Sequence, residues 1–283
     1  MARDWGSPAG GPNGMAVAVA FFAETLENLG HQVRRIGASD DQISRFDADL
    51  MITTFAGAWR RTLAYATKAG ACERLVYWHH AGGVPEGSGS LLAAPPAVGP
   101  QAGWRRQVVL PPSSWAAEMG GERTGDEILV AGAGPAKGGH VALAVARCCP
   151  DLRWYVLQGR SSPADRVPWL ALPHAEVAPG IARPFAFLAR ARALLAPTRF
   201  ETYGLLIVEA AVRGIPVVCT DLPATRSAAG DSAIYVPVTS PTEEWAAALR
   251  TALERPLPRL RLRPYADVVR DALEQLQCER MAA

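Results

Sequence analysis

EILVAGAGPAKGGHVALAVARCC, residues 127–149, decides how the second half of the chain is read. EILVAG (127–132) is a short apolar run of the kind that forms a buried strand, and KGGHVALAVARCC (137–149) has the period of a helix. Between them lies a loop carrying Gly132 and Gly134. Strand, glycine loop and helix in that order open a parallel α/β unit, in which ligands meet the carboxyl ends of strands and the first amides of helices.

The alternation continues downstream. LRWYVLQG (152–159) and HAEVAP (174–179) read as strands, PFAFLARA (184–191) as a helix, RALLAPT (192–198) as a strand and GLLIVEAAVRG (204–214) as a helix. IPVVCT (215–220) and AIYVPV (233–238) read as strands and PTEEWAAALRTAL (241–253) as a helix. Upstream, MAVAVAFFAETLENLG (15–30) reads as a helix closed by Gly30, and GAWRRTLAYATKAG (57–70) as another. HQVRRI (31–36), DLMITT (49–54), LVYWHH (75–80) and QVVLPP (107–112) read as strands, with Ser113 or Ser114 opening a short helix. EGSGSLLAAPPAVGPQAG (86–103) has no period and reads as a loop. These patterns predict an α/β protein of two doubly wound Rossmann-like domains facing a cleft, the N-terminal one reduced. The boundary falls near 113–126: a first domain over 1–115, a second over 116–255, and a segment 256–283 whose helix (259–280) crosses back to the first.

Composition narrows the class. At 49% hydrophobic and 20% charged residues, with a net charge of +2, the chain reads as an ordinary globular protein without the basic excess of a dedicated nucleic-acid or membrane-surface binder. The five cysteines match no metal spacing and no disulfide framework, which points to a reducing cytoplasm. No signal peptide is read, and the apolar run 15–23 is too short to span a membrane. The basic run RLRLR (259–263) reads as a solvated face.

RFETYGLLIVEAA (199–211) raises the chemical question. Glu209 lies among apolar residues of a helix, where an unpartnered charge costs several kcal/mol, so its burial needs a partner. Glu201 sits in the turn before that helix. The first amides of the helix, at Gly204, Leu205 and Leu206, lack intrahelical partners and suit a phosphate. Gly204 offers no side chain to block the approach. A carboxylate, bare amides and a second carboxylate match the hydroxyls, diphosphate and ribose diol of a sugar nucleotide.

With GIPVVCTDLPATRSAAGDSAIYV (214–236) following the paired glutamates, the segment from about 127 to 254 resembles the donor half of retaining glycosyltransferases of the GT-B fold, family 4. A Gly-rich loop, a helix and LGHQV (29–33) extend a weaker resemblance upstream. The resemblance implies transfer of a sugar, with retention, from a UDP-, GDP- or TDP-sugar to an acceptor hydroxyl, with no cofactor or metal required.

It assigns Glu201 to hydroxyls of the donor sugar, with Tyr203 in the same turn. The amides of Gly204 and Leu205 go to the β-phosphate, with Leu206 next to them at the donor, and Glu209 to the ribose hydroxyls. Lys137, in the loop with Gly134, goes to the diphosphate; where the family usually carries a second phosphate-binding arginine this chain has Gly132, and Arg160 and Arg199 are candidates to replace it. Gly10, Gly11 and Gly14 are placed across from the phosphates, and His79 or His80 near the reacting centre. The strand end at Val177 is placed over the base. The sequence does not name the acceptor, which stays open among natural products, glycans and polymers, nucleic acid included, and no oligomeric state follows.

Two other readings stand beside this one. GAGPAKG (132–138) is a loose dinucleotide fingerprint, which makes an NAD(P)-binding oxidoreductase the alternative, although LQGR (157–160) lacks the acidic residue for a ribose. The missing arginine also fits a non-catalytic GT-B relative acting as a binding subunit. Asp47 and Asp49 spell D-x-D, which reads as a solvated strand entry.

Overall fold

A computed structural model describes residues 14–33, 50–53, 73–78, 90–93, 106–114, 117, 124–159, 161–178 and 186–278. They fall into two compact units, one built on Ser114–Leu262 and the other on Ala18–Ser113 with Arg263–Ala283.

The larger unit holds six parallel strands: β5 (Glu127–Val130), β6 (Arg153–Val156), β7 (Ala175–Val177), β8 (Ala191–Ala196), β9 (Val217–Thr220) and β10 (Ala233–Val236). Their order across the sheet is β10-β9-β8-β5-β6-β7. Counted from β5 as first, this is the doubly wound order 3-2-1-4-5-6, whose direction of winding reverses between β5 and β8.

The strands are mostly apolar, with charges confined to their starts and edges such as Glu127, Arg153, Glu176 and Arg192, because helices cover both faces. Successive residues point to opposite sides. Leu129, Leu194, Val217 and Cys219 enter one core with Ile207, Val208 and Ala211 of α5 (Leu205–Val212). Ile128, Val130, Ala193, Leu195 and Val218 enter the other. That second core is completed by Val145 and Ala146 of α2 (Gly139–Cys148), Trp169 of α3 (Pro163–Leu170), and Trp245 and Leu249 of α7 (Thr242–Glu254).

Two helices stand where no helix is read in the sequence. α3 begins with Pro163 after Ser162, whose hydroxyl accepts the Asp165 amide while the Asp165 carboxylate accepts the Ser162 amide. α6 (Pro223–Ala229) also opens with a proline, and Thr225 Oγ1 accepts the Leu222 amide. Proline in the first turn of a helix loses nothing, because that amide has no partner in any case. α4 (Ala186–Arg190) runs directly into β8.

In the smaller unit, β1 (Leu50–Thr53), β2 (Glu73–Trp78), β3 (Ser90–Ala93) and β4 (Arg106–Val109) pair in parallel in chain order. β3 corrects the reading of 86–103 as loop throughout: a four-residue run, SLLA, is enough for a strand between two partners. Residues 31–33 are not strand, contrary to the reading of 31–36, and 34–36 lie outside the described residues. They follow the end of α1 (Gly14–Asn28), where Gly30 at φ 91° donates to Glu27 O and His31 donates to Leu26 O. This pair of bonds closes a helix and turns the chain away. α1 packs through Phe22 and Leu26 against Val108, Leu110 and Tyr265, Val269 and Ala272 of α8 (Tyr265–Cys278). The Phe21 and Tyr265 rings stack at 5.3 Å. Among the described residues no helix is long and apolar enough to cross a membrane.

One charged cluster stabilises the start of the larger sheet. Arg190 grips the buried Glu127 through two 2.6 Å bonds, reaches Glu176 at 2.7 Å and lies 3.8 Å over the Tyr155 ring. Removing one partner of a buried pair strands the other, at a cost of about 3 kcal/mol when nothing replaces it. Arg153 already approaches Glu127 at 3.6 Å and offsets part of the loss. Arg190→Ala is therefore expected to cost about 2 kcal/mol, read as a fall in urea midpoint at unchanged slope.

Candidate functional site

The switch in winding direction puts the loops after β5 and β8 side by side at the carboxyl end of the sheet. After β5 the chain makes a 3-10 turn at Pro135–Lys137, then Gly138 at φ 68°, and only then begins α2. Lys137 thus sits in the turn, two residues before the helix it is read to open. Gly134 accepts from the amides of Lys137 and Gly139 through its carbonyl, which closes the loop on itself. The loop after β8 is fastened to it. The Arg199 amide donates to Ala136 O at 3.2 Å, and Thr198 Oγ1 lies 3.2 Å from Ala136 O and 2.7 Å from Phe200 O. A Cβ on Gly138 would lie 1.8 Å from Pro197 O and one on Gly139 1.9 Å from Ala133 O, so only glycine permits this approach.

These fastenings bring Lys137 and Glu201 together. Lys137 Nζ donates to Glu201 Oε2 at 2.6 Å, and Glu201 Oε1 accepts the Thr202 amide at 3.1 Å. The carboxylate is largely enclosed, at 15% exposure, and the ammonium reaches water, at 44%. Gly204 follows at φ 97° and caps α5. Its carbonyl accepts from Ile207 and Val208, while the amides of Gly204, Leu205 and Leu206 make no hydrogen bond among the described residues.

Glu209 lies one turn into α5 and is buried. It accepts a 2.5 Å hydrogen bond from Ser114 Oγ, which in turn accepts the Ala117 amide at 3.3 Å. Burial pushes the Glu209 carboxyl up to about 7, against the opposing pull of the Ser114 hydroxyl and the Arg213 charge. Arg213 acts through its charge alone: its Nε is buried without a hydrogen-bond partner among the described residues.

Between the ordinary carboxyl value of 4.5 and about 7, folded Glu209 holds a proton that the unfolded chain has released. Stability therefore falls as pH rises through that window, by up to about 3 kcal/mol. Glu209→Gln keeps an acceptor for Ser114 and removes the ionisation. It is expected to melt about 5 °C above the parent at pH 8 and level with it near pH 4.5, by scanning calorimetry at both pH values. A variant that melts lower at pH 8 would show that the charge itself holds the fold.

The remaining sequence-read residues are placed less centrally. The Tyr203 ring is packed in the core beside Ile207, and burial pushes its phenol up to about 12, which leaves mainly its backbone to the turn. Val177 ends β7, half-buried against the second core. Arg199 is exposed in the β8 loop. Gly14 begins α1. Gly10, Gly11, Asp47, Asp49, His79, His80 and Arg160 lie outside the described residues. Ser114 and Thr198 are the additions the sequence reading lacks. Ser114 meets Glu209 across 95 positions and no local pattern marks the contact; Thr198, a hydroxyl at a strand end, carries at least a local signal.

The fold is that of the GT-B glycosyltransferases. The chain superposes on AviGT4, a glycosyltransferase involved in avilamycin A biosynthesis, with a TM-score of 0.71 and 18% identity over 100% of this chain and 96% of that one. WaaG, a glycosyltransferase involved in lipopolysaccharide biosynthesis, gives 0.56 and 15% over 94% and 92%. Sucrose-phosphate synthase from Thermosynechococcus elongatus gives 0.58 and 14% over 81% and 69%. Residues 139–255 match the family model described as glycosyl transferases group 1. No curated protein sequence matches significantly.

Proposed function

We propose that the chain is a retaining glycosyltransferase that moves a sugar from a nucleoside-diphosphate donor to an acceptor hydroxyl. One observation carries the reading: Lys137 and Glu201 meet where the sheet reverses direction, in the turn that leads directly into the Gly204–Leu206 amides, which make no hydrogen bond among the described residues. The family match over 139–255 supports it, since that segment contains the β8 loop and α5.

In this reading the Lys137 ammonium and the α5 amides take the diphosphate, whose negative charge grows as the glycosidic bond breaks. Glu201 accepts from hydroxyls of the sugar. Glu209 accepts from the ribose diol, exchanging the Ser114 hydroxyl for a ligand hydroxyl. The departing phosphate takes the proton of the attacking hydroxyl on the same face of the sugar, so the protein's task is to position substrates and stabilise the leaving group. The likeness to AviGT4, which this chain spans almost fully, supports a natural product among the possible acceptors.

Two features weigh against a dinucleotide. The third glycine of the fingerprint is replaced by Lys137, and Gln158 stands where β6 would supply an acid to a ribose. A thermal-shift screen with UDP, GDP, TDP, NAD and NADP separates the readings. A nucleoside diphosphate is expected to raise the melting temperature and the dinucleotides to leave it unchanged. Stabilisation by NAD or NADP alone would overturn the proposal.

A further inference from the structure

The ion pair between Lys137 and Glu201 joins two groups to which the proposed function gives different parts of the donor. The ammonium belongs to the diphosphate and the carboxylate to the sugar, yet they bond to each other at 2.6 Å. A carboxylate oxygen at that distance takes one of the three donors of the ammonium and neutralises the charge that a phosphate would otherwise meet. Gly132 leaves room for this arrangement: a Cβ there would come within 3.1 Å of Lys137 Cβ and 3.2 Å of its Cγ. The residue that removes a second cation from the loop is thus also the one beside which the lysine stem lies. The other Glu201 oxygen is held by the Thr202 amide, and the loop beneath is fastened through Thr198 and Arg199.

Resting on the donor reading above, we infer that Glu201 is an internal counter-ion that the diphosphate must displace from Lys137. A bare nucleoside diphosphate opens the pair and gives Glu201 no partner in return. A sugar nucleotide opens the same pair and offers sugar hydroxyls to the freed carboxylate. Glu201 therefore discriminates for the intact donor and, once the sugar has moved, competes with the spent diphosphate for Lys137 and promotes its release. No covalent bond changes in the exchange.

The test is calorimetric titration of UDP, GDP and TDP, and of their glucose conjugates, into the full chain and its Glu201→Gln, Lys137→Ala and double variants, each first checked for an unchanged circular dichroism spectrum. Glu201→Gln is expected to bind the nucleoside diphosphate roughly fivefold tighter than the parent, and the preference for a sugar conjugate over the bare diphosphate is expected to shrink. In the Lys137→Ala background the gain is expected to vanish. Glu201→Ala serves in place of Glu201→Gln should the latter fail to fold. Unchanged or weaker binding of the diphosphate by the Glu201 variant, with measurable binding by the parent, would overturn the inference and leave the donor reading intact. No binding of any diphosphate or conjugate by parent or variants would overturn the donor reading and the inference with it.

Discussion

Glu201→Ala is expected to lower donor turnover by at least a hundredfold, on the order of 3 kcal/mol of transition-state stabilisation. The carboxylate is held by the turn itself, with one oxygen on the Thr202 amide, so its geometry is set before the sugar arrives. Alanine removes the acceptor and leaves the turn intact, because Gly204 and the Thr198 bonds make the loop without it. The measurement is release of nucleoside diphosphate from the donor in the presence of an active acceptor, with melting temperature as the control for folding. Turnover within about threefold of the parent would remove Glu201 from the reaction. Tighter binding of the spent diphosphate and slower turnover, seen together in one variant, would separate a carboxylate that works on the sugar from one that merely neutralises a lysine.

Gly138→Ala is expected to cost about 3–4 kcal/mol and to lower the melting temperature by roughly 10 °C. Two penalties add. The left-handed backbone at φ 68° charges any side chain about 1 kcal/mol. The new Cβ would also lie 1.8 Å from Pro197 O, inside the backbone of the loop just after β8, and no rotamer relieves that. The β5 and β8 loops would have to separate, and Lys137 would move away from Glu201. Nucleotide affinity should therefore fall with stability. Gly30→Ala is the matched control: φ is 91° but nothing lies within 4 Å of the new Cβ, so only the conformational cost of about 1 kcal/mol is expected. Equal losses in the two variants, measured by denaturant melts, would show that backbone conformation and not the close approach dominates at Gly138.

The fold was legible where residue pattern and structure share a period. The runs in β5, β8 and β9 are mostly apolar because both faces are covered, and each marks a central strand. Legibility failed at α3 and α6, short helices that open with a proline and carry little apolar period of their own. It failed again at β3, a four-residue strand inside a stretch rich in proline and glycine. At the site, Lys137 and Glu201 were each visible as a charge beside a strand tip. Their contact was not, since they are 64 positions apart and are joined only by the switch in strand order. Glu209 announced that it needed a partner, and its nearest opposite charge in sequence is Arg213, one turn away. The hydroxyl of Ser114 makes the hydrogen bond instead, and Arg213 contributes only its charge.

The most direct test of the account is a crystal structure of the chain with the nucleoside diphosphate that stabilises it best. The account predicts the diphosphate on Lys137 Nζ and the amides of Gly204–Leu206, the Lys137–Glu201 contact open, and the ribose hydroxyls on Glu209. A nucleotide bound away from the β5 and β8 loops, with Lys137 still on Glu201 and Ser114 still on Glu209, would contradict it.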